Sequence, residues 1–154
     1  MDISNKTFVV VGTGKSGVAA AELLLRHAKK VYLYDGNEAL DVAAFRKQHQ
    51  SLEVVELILG TLPAEIETTL DIAVLSPGVP LDIPVVEQMK AQGICIWGEI
   101  ELAYVLGKGK VVAITGTNGK TTTTTLVGQI MARHFAKVQV VGNIGIPYTS
   151  VVED

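Results

Sequence analysis

Apolar residues in this chain gather in short, unbroken, β-branched runs instead of alternating with polar ones. Thr7–Val11, Val31–Tyr34, Val54–Leu57, Ile72–Leu75, Ile94–Trp97, Val111–Thr115 and Val138–Val141 each read as a strand. A strand that is apolar at successive positions has both faces covered, as in parallel sheets sandwiched by helices. Between these runs the spacing predicts helices over Val18–His27, Ala39–Gln48, Ile83–Gln92, Glu99–Leu106 and Lys120–Phe135. In the first of them Ala19, Leu23, Leu24 and His27 fall close to one stripe. Strand and helix in turn predict an α/β fold, a Rossmann-like parallel sheet. Leu106-Gly107-Lys108-Gly109-Lys110 interrupts the pattern between a helix and a new strand. It divides the chain into a first domain over 1–107 and, over 108–154, the incomplete opening of a second, mononucleotide-binding α/β domain.

Composition narrows the partners. Of 154 residues, 13 are Lys or Arg and 16 Asp or Glu, a net charge of −3 with the charges scattered along the chain. Nucleic-acid backbones require clustered cations, so no nucleic-acid partner is expected. No apolar run approaches the roughly 20 residues that span a bilayer, and the N-terminus lacks the form of a secretory leader. The positive mean hydropathy of +0.36 therefore reflects buried strands. Cys95 is the single cysteine. It excludes an intramolecular disulfide and suits a reducing cytoplasm, and its neighbours Ile94, Ile96 and Trp97 predict a buried, inert thiol. The three histidines share no metal-like spacing. Glu99 and Glu101 stand two apart on one helix and so face different ways; they are expected in solvent or against the second domain, not as an acid–base pair.

Two glycine loops carry the chemistry. Gly12-Thr13-Gly14-Lys15-Ser16-Gly17 follows one predicted strand, opens a helix, and has the spacing G-x-G-x-x-G. The first glycine permits a tight turn, the second a close approach of backbone to phosphate, and the third close helix–strand packing. Free N–H groups at the helix start favour an anion there. Asp35 ends the next strand, 21 residues beyond Gly14, within reach of a ribose hydroxyl. NAD fits this pattern, but so does any nucleotide diphosphate. A stand-alone nucleotide-binding module and an NAD-dependent dehydrogenase both stay open on this loop alone.

The second loop is Gly116-Thr117-Asn118-Gly119-Lys120-Thr121-Thr122, between the strand Val111–Thr115 and a helix. Its backbone N–H groups would wrap a β-phosphate of ATP, Lys120 would reach the β- and γ-oxygens, and the Thr121 hydroxyl would ligate Mg²⁺. The first glycine of the common G-x-x-x-x-G-K-[ST] pattern is replaced by Ile114.

With Thr115 in front, the run through Thr122 resembles the T-G-T-[NH]-G-K-[ST]-T phosphate loop of the Mur ligase family, which tolerates that missing glycine. Ser76-Pro77-Gly78-Val79, Gly98-Glu99-Ile100-Glu101-Leu102 and Gly142-Asn143-Ile144-Gly145 agree with it in order and spacing. They resemble in particular the D-glutamate-adding branch. The alanine-adding branch usually carries histidine where this chain has Asn118. The resemblance implies an ATP- and Mg²⁺-dependent amide-bond ligase of peptidoglycan precursor synthesis, cytoplasmic and monomeric at full length. Its substrates would be UDP-N-acetylmuramoyl-L-alanine, D-glutamate and ATP. The backbone at Gly14, Lys15 and Ser16 would hold the UDP diphosphate, and Asp35, Gly36 and Asn37 would lie at the uridine. Some members have Thr-Arg in place of Gly36-Asn37. Ser76, Pro77 and Gly78 would flank the uracil or sugar, and Asn143 the muramoyl group. The family's second-metal ligands and its D-glutamate-receiving domain would lie past residue 154, so the chain is expected to be an N-terminal fragment, inactive alone and prone to aggregate at an exposed half-sheet.

Overall fold

The computed structural model describes residues 1–142 and 145–153. Five strands form one sheet: β1 (Thr7–Val11), β2 (Lys30–Asp35), β3 (Glu56–Leu59), β4 (Ile72–Leu75) and β5 (Cys95–Gly98). Every neighbouring pair is parallel and the spatial order is β3-β2-β1-β4-β5. Successive residues of β1 serve opposite faces. Phe8 and Val10 join a core with Leu24, Phe45 and Leu102, whereas Val9 and Val11 join one with Ile58, Val86 and Met89. The helices α1 (Lys15–Leu25), α2 (Val42–Gln48) and α5 (Glu99–Leu106) supply the first face; α4 (Pro84–Ala91) and the short α3 (Ala64–Glu67) supply the second. This double cover is what the unbroken apolar runs predict.

Local chemistry sets the element ends. Asp41 caps α2 by accepting the Ala44 N–H at 2.9 Å, so the helix starts at Val42 instead of Ala39. Pro84 occupies the first turn of α4, where its missing N–H costs nothing. The strand expected at Val54–Leu57 forms two residues later. The Arg46 guanidinium bonds the carbonyls of Leu52 and Val55, the latter at 2.7 Å. Val55 also donates its N–H to Leu52 O at 3.0 Å. That turn consumes Val54 and Val55, and the ladder with β2 begins at Glu56.

Three expectations fail here. Val111–Thr115 and Val138–Val141 form no strand. Val111, Val112 and Val140 are exposed by 45, 60 and 45%. A parallel strand needs a paired neighbour and a covered face, and these segments have neither. Helix α6 (Lys120–Met131) forms, but it buries none of its residues and stops short of Phe135. Cys95 is exposed, not buried, because β5 is the edge of the sheet and has a neighbour on one side only.

Candidate functional site

The chain runs β1, β2, β3 outward to one side, then crosses to place β4 on the other flank of β1. The order therefore reverses between β1 and β4, and a crevice opens where neighbouring connections leave in opposite directions, at the carboxyl ends of the strands. Three of the segments expected at the first nucleotide meet there, Asn143 lying outside the described residues. Gly12–Gly17 follows β1, Asp35–Asn37 follows β2 and Ser76–Gly78 follows β4.

Packing gives each glycine of the first loop a separate task. Gly12 has φ +102°, and a methyl group on it would lie 2.9 Å from Ser76 Oγ. On Gly17 it would lie 1.9 Å from Gly12 O, so α1 can seat against β1 only without a side chain there. Gly14 differs: its φ is −72°, it is exposed, and nothing lies within 4 Å of the methyl position. The protein leaves that space open. Gly14 is also the N-cap of α1 and offers no side-chain cap, so the first-turn N–H groups of Lys15 and Ser16 face the same opening. An anion fits this cradle.

Asp35 holds the loop in shape. Its Oδ2 accepts the Thr13 N–H at 2.9 Å and the Thr13 hydroxyl at 2.6 Å, and its Oδ1 accepts the Asn37 N–H at 3.0 Å. Burial pushes this carboxyl up, but the hydrogen bonds from Thr13 and Asn37 outweigh it and hold it below the ordinary carboxylate range. Three of its roughly four acceptor positions are thus in use. Gly36 and Asn37 are exposed, and the Asn37 side chain turns back to accept the Ala39 N–H at 3.1 Å. Ser76 is half-buried with its hydroxyl 3.4 Å from Gly12 O, while Pro77 and Gly78 are exposed beside it. Thr13 and Val79, the latter in contact range of Gly12, complete the wall. Val79 closes the motif Ser76–Val79, whereas Thr13 does not stand out in sequence because it fills a variable position of the glycine pattern.

The second loop, Gly116–Gly119, leads directly into α6. Gly116 and Gly119 have φ +150° and +76°, and Gly119 starts α6 without a side-chain cap. Thr117, Asn118, Thr121 and Thr122 are exposed. The Lys120 ammonium folds over the loop and donates to Gly116 O and, at 3.4 Å, to Thr117 O. Further along, Thr124 and Thr125 donate their hydroxyls to Lys120 O and Thr121 O at 2.7 and 2.8 Å, so these two threonines serve the helix itself. Thr121 stands in the first turn, where a hydroxyl can meet a cation bound to phosphate. Among the described residues no group of three or more His, Cys, Asp or Glu is placed to hold a metal. A single first-turn hydroxyl is compatible with Mg²⁺ that keeps phosphate oxygens and water as its other ligands. Asn143 lies outside the described residues.

Among the described residues no helix is long and apolar enough to cross a membrane. Glu99, expected in solvent or against the second domain, takes the second course: it is buried and accepts from Thr149. Glu101 accepts the Gly98 N–H at the start of α5.

Two family models match the chain. Residues 6–98 match the Mur ligase MurD-like N-terminal domain, and residues 114–152 match the Mur ligase middle domain. The chain is 49% identical over its full length to UDP-N-acetylmuramoylalanine--D-glutamate ligase of Lachnoclostridium phytofermentans, of which it covers 34%. It is 51% identical over 152 residues, 99% of its length, to the ligase of the same name from Lachnospira eligens, again covering 34%. It thus spans about a third of the length of the curated relatives it matches. A pseudomurein peptide ligase type C from Methanothermus fervidus shares the fold over 84% of this chain and 26% of its own, at TM-score 0.51 and 24% identity. With the N-terminal match covering most of the chain and the two glycine loops standing where both models place a Mur ligase's domains, the chain belongs to the Mur ligase family, on its MurD-like side.

Proposed function

We propose that the full-length protein is the ATP-dependent ligase that joins D-glutamate to UDP-N-acetylmuramoyl-L-alanine, in the cytoplasm and as a monomer. In this reading residues 1–107 are its UDP-substrate domain and residues 108–154 begin its ATP-binding domain. The observation that carries it is the open methyl position at Gly14, beside the uncapped start of α1 and the Asp35 clamp, in a chain that also holds a phosphate loop.

The diphosphate of the UDP-sugar would lie on the N–H groups of Lys15 and Ser16. The uridine would extend toward Gly36 and Asn37, and the uracil or sugar would rest against Ser76, Pro77 and Gly78. Asp35 would act chiefly through Thr13, by keeping the loop in its binding shape. On the other side, the backbone of Gly116–Gly119 would hold the phosphates of ATP, with Thr122 in the same helix turn. Lys120 would leave the carbonyls of Gly116 and Thr117 for the β- and γ-oxygens and offset charge as the phosphoryl group moves. Mg²⁺ held at Thr121 would neutralise the same phosphate oxygens. The alanyl carboxylate would then attack the γ-phosphorus, ADP would leave, and the acyl phosphate formed would be attacked by the amine of D-glutamate to give amide and phosphate. The 154-residue chain alone is expected not to complete this reaction, since it spans only a third of its relatives' length.

A thermal-shift panel on the 154-residue chain tests the first half of this reading. A UDP-sugar at a hundred times its dissociation constant stabilises by about 2.7 kcal/mol, a rise on the order of 5–10 °C for a domain of this size. Stabilisation by UDP-sugar and not by NAD supports the ligase. The reverse supports a dinucleotide-binding module or a dehydrogenase.

A further inference from the structure

One buried acid takes no part in either nucleotide cradle. Glu99 opens α5 and is 3% exposed; its Oε1 accepts both the N–H and the hydroxyl of Thr149, each at 2.7 Å. Thr149 itself is 1% exposed and sits in a single 3₁₀ turn, Tyr148–Ser150. The partners are 50 residues apart, on either side of the glycine–lysine stretch at 107–110.

Three further contacts surround this bond. Val152 packs into the core shared by α1, β1 and α5. Arg26 Nε and His27 Nε2, just past the end of α1, meet Glu153 Oε2 and Oε1 at 2.7 and 2.6 Å. A methyl group at Gly107 would come within 3.0 Å of both Tyr148 Oη and Val152 Cγ2, and 2.9 Å of Ala103 O. Residues 148–153 therefore form a strap seated on the first domain. Helix α6, which carries the phosphate loop, buries no residue of its own. Among the described residues beyond Gly107, the one that is buried, Thr149, belongs to this strap.

We propose that Glu99 is a positioning residue: by seating this strap it fixes the segment that precedes it, and with it the phosphate-loop unit, relative to the crevice at Gly14. Its effect on turnover rests on the ligase reading above; the strap does not. A carboxyl group suits the task because two donors converge on one buried oxygen that can accept both.

Amide hydrogen exchange on the 154-residue chain tests the strap directly. Glu99→Ala leaves the Thr149 N–H and hydroxyl without an acceptor, and exchange at 148–153 should rise on the order of tenfold or more. Exchange in β1, β2 and β4 should stay as it was. Glu99→Gln keeps an acceptor oxygen and should restore most of the protection. Thr149→Val removes one donor at constant shape and should give a smaller rise in the same residues. In the full-length enzyme Glu99→Ala should lower kcat on the order of tenfold, with KM for the UDP-sugar within about twofold. Unchanged exchange at 148–153, or an equal rise across the central strands, overturns the strap. A normal kcat in a variant with a loosened strap overturns the positioning role, and absence of ligase activity in the unaltered enzyme overturns the function instead.

Discussion

Gly14 and Gly17 stand three residues apart in one loop, yet the structure separates what each contributes. Gly17→Ala drives a methyl into Gly12 O and should destabilise the chain by about 3 kcal/mol, read as a lowered unfolding midpoint. Gly14→Ala meets open space at a backbone angle that alanine accepts. The loss of a good N-cap and the gain from a stiffer unfolded chain nearly offset each other, so stability should change by less than about 1 kcal/mol. UDP-sugar affinity should nonetheless fall, which calorimetric titration of the same variant would measure. Asp35 supplies a pH test. Its folded carboxyl is held low, so its contribution to stability is present above the ordinary carboxylate range and is lost as pH falls through the lowered value. Asp35→Asn should therefore flatten the acid limb of the stability–pH curve; an unaltered limb would show that Thr13 and Asn37 do not stabilise the charge. The spacing of the glycines was legible from the residues alone. That Asp35 bonds Thr13 was not, because a clamp through a variable loop position leaves no pattern.

Elements divide along the same line between pattern and packing. All five strands of the sheet were expected from their apolar runs; β1 and β4 are buried along their whole length, whereas the edge strands β3 and β5 are only partly covered. The ends of β3 and α2 shifted for reasons that depend on single side chains, Arg46 on the carbonyls of Leu52 and Val55 and Asp41 on the Ala44 N–H. The runs at Val111–Thr115 and Val138–Val141 carry the same signature but form no strand, because pairing is a property of the neighbour and not of the run. Helix α6, between those two unpaired runs, lacks a sheet to pack on. With no residue of its own buried, its amides should exchange far faster than those of α1, whose Leu23 and Leu24 are fully buried. Exchange measured helix by helix checks this, and equal protection would contradict it. Among the described residues the Lys120 ammonium donates to carbonyls of its own loop, so Lys120→Ala should leave unfolding unchanged while abolishing ATP-dependent turnover of the full-length enzyme.

For the whole molecule, topology assembles the first site and sequence announces the second. The reversal of strand order between β1 and β4 brings Gly14, Asp35 and Ser76 to one crevice although they span more than 60 residues. No local spacing contains that information; the family resemblance did. The phosphate loop, by contrast, is contiguous and could be read directly. The strap at 148–153 was legible only in part: Glu99 was expected in solvent or against the second domain, but nothing in the residues singled out Thr149 as its buried partner. The central claim is that one protein holds two separate anion cradles for two different nucleotides. Calorimetric titration of UDP-N-acetylmuramoyl-L-alanine into the full-length protein, presaturated with a non-hydrolysable ATP analogue, tests it most directly. One equivalent should still bind, and Gly14→Ala should weaken that binding without displacing the analogue. Mutual exclusion of the two ligands, or binding of the UDP-sugar indifferent to Gly14, would contradict the account.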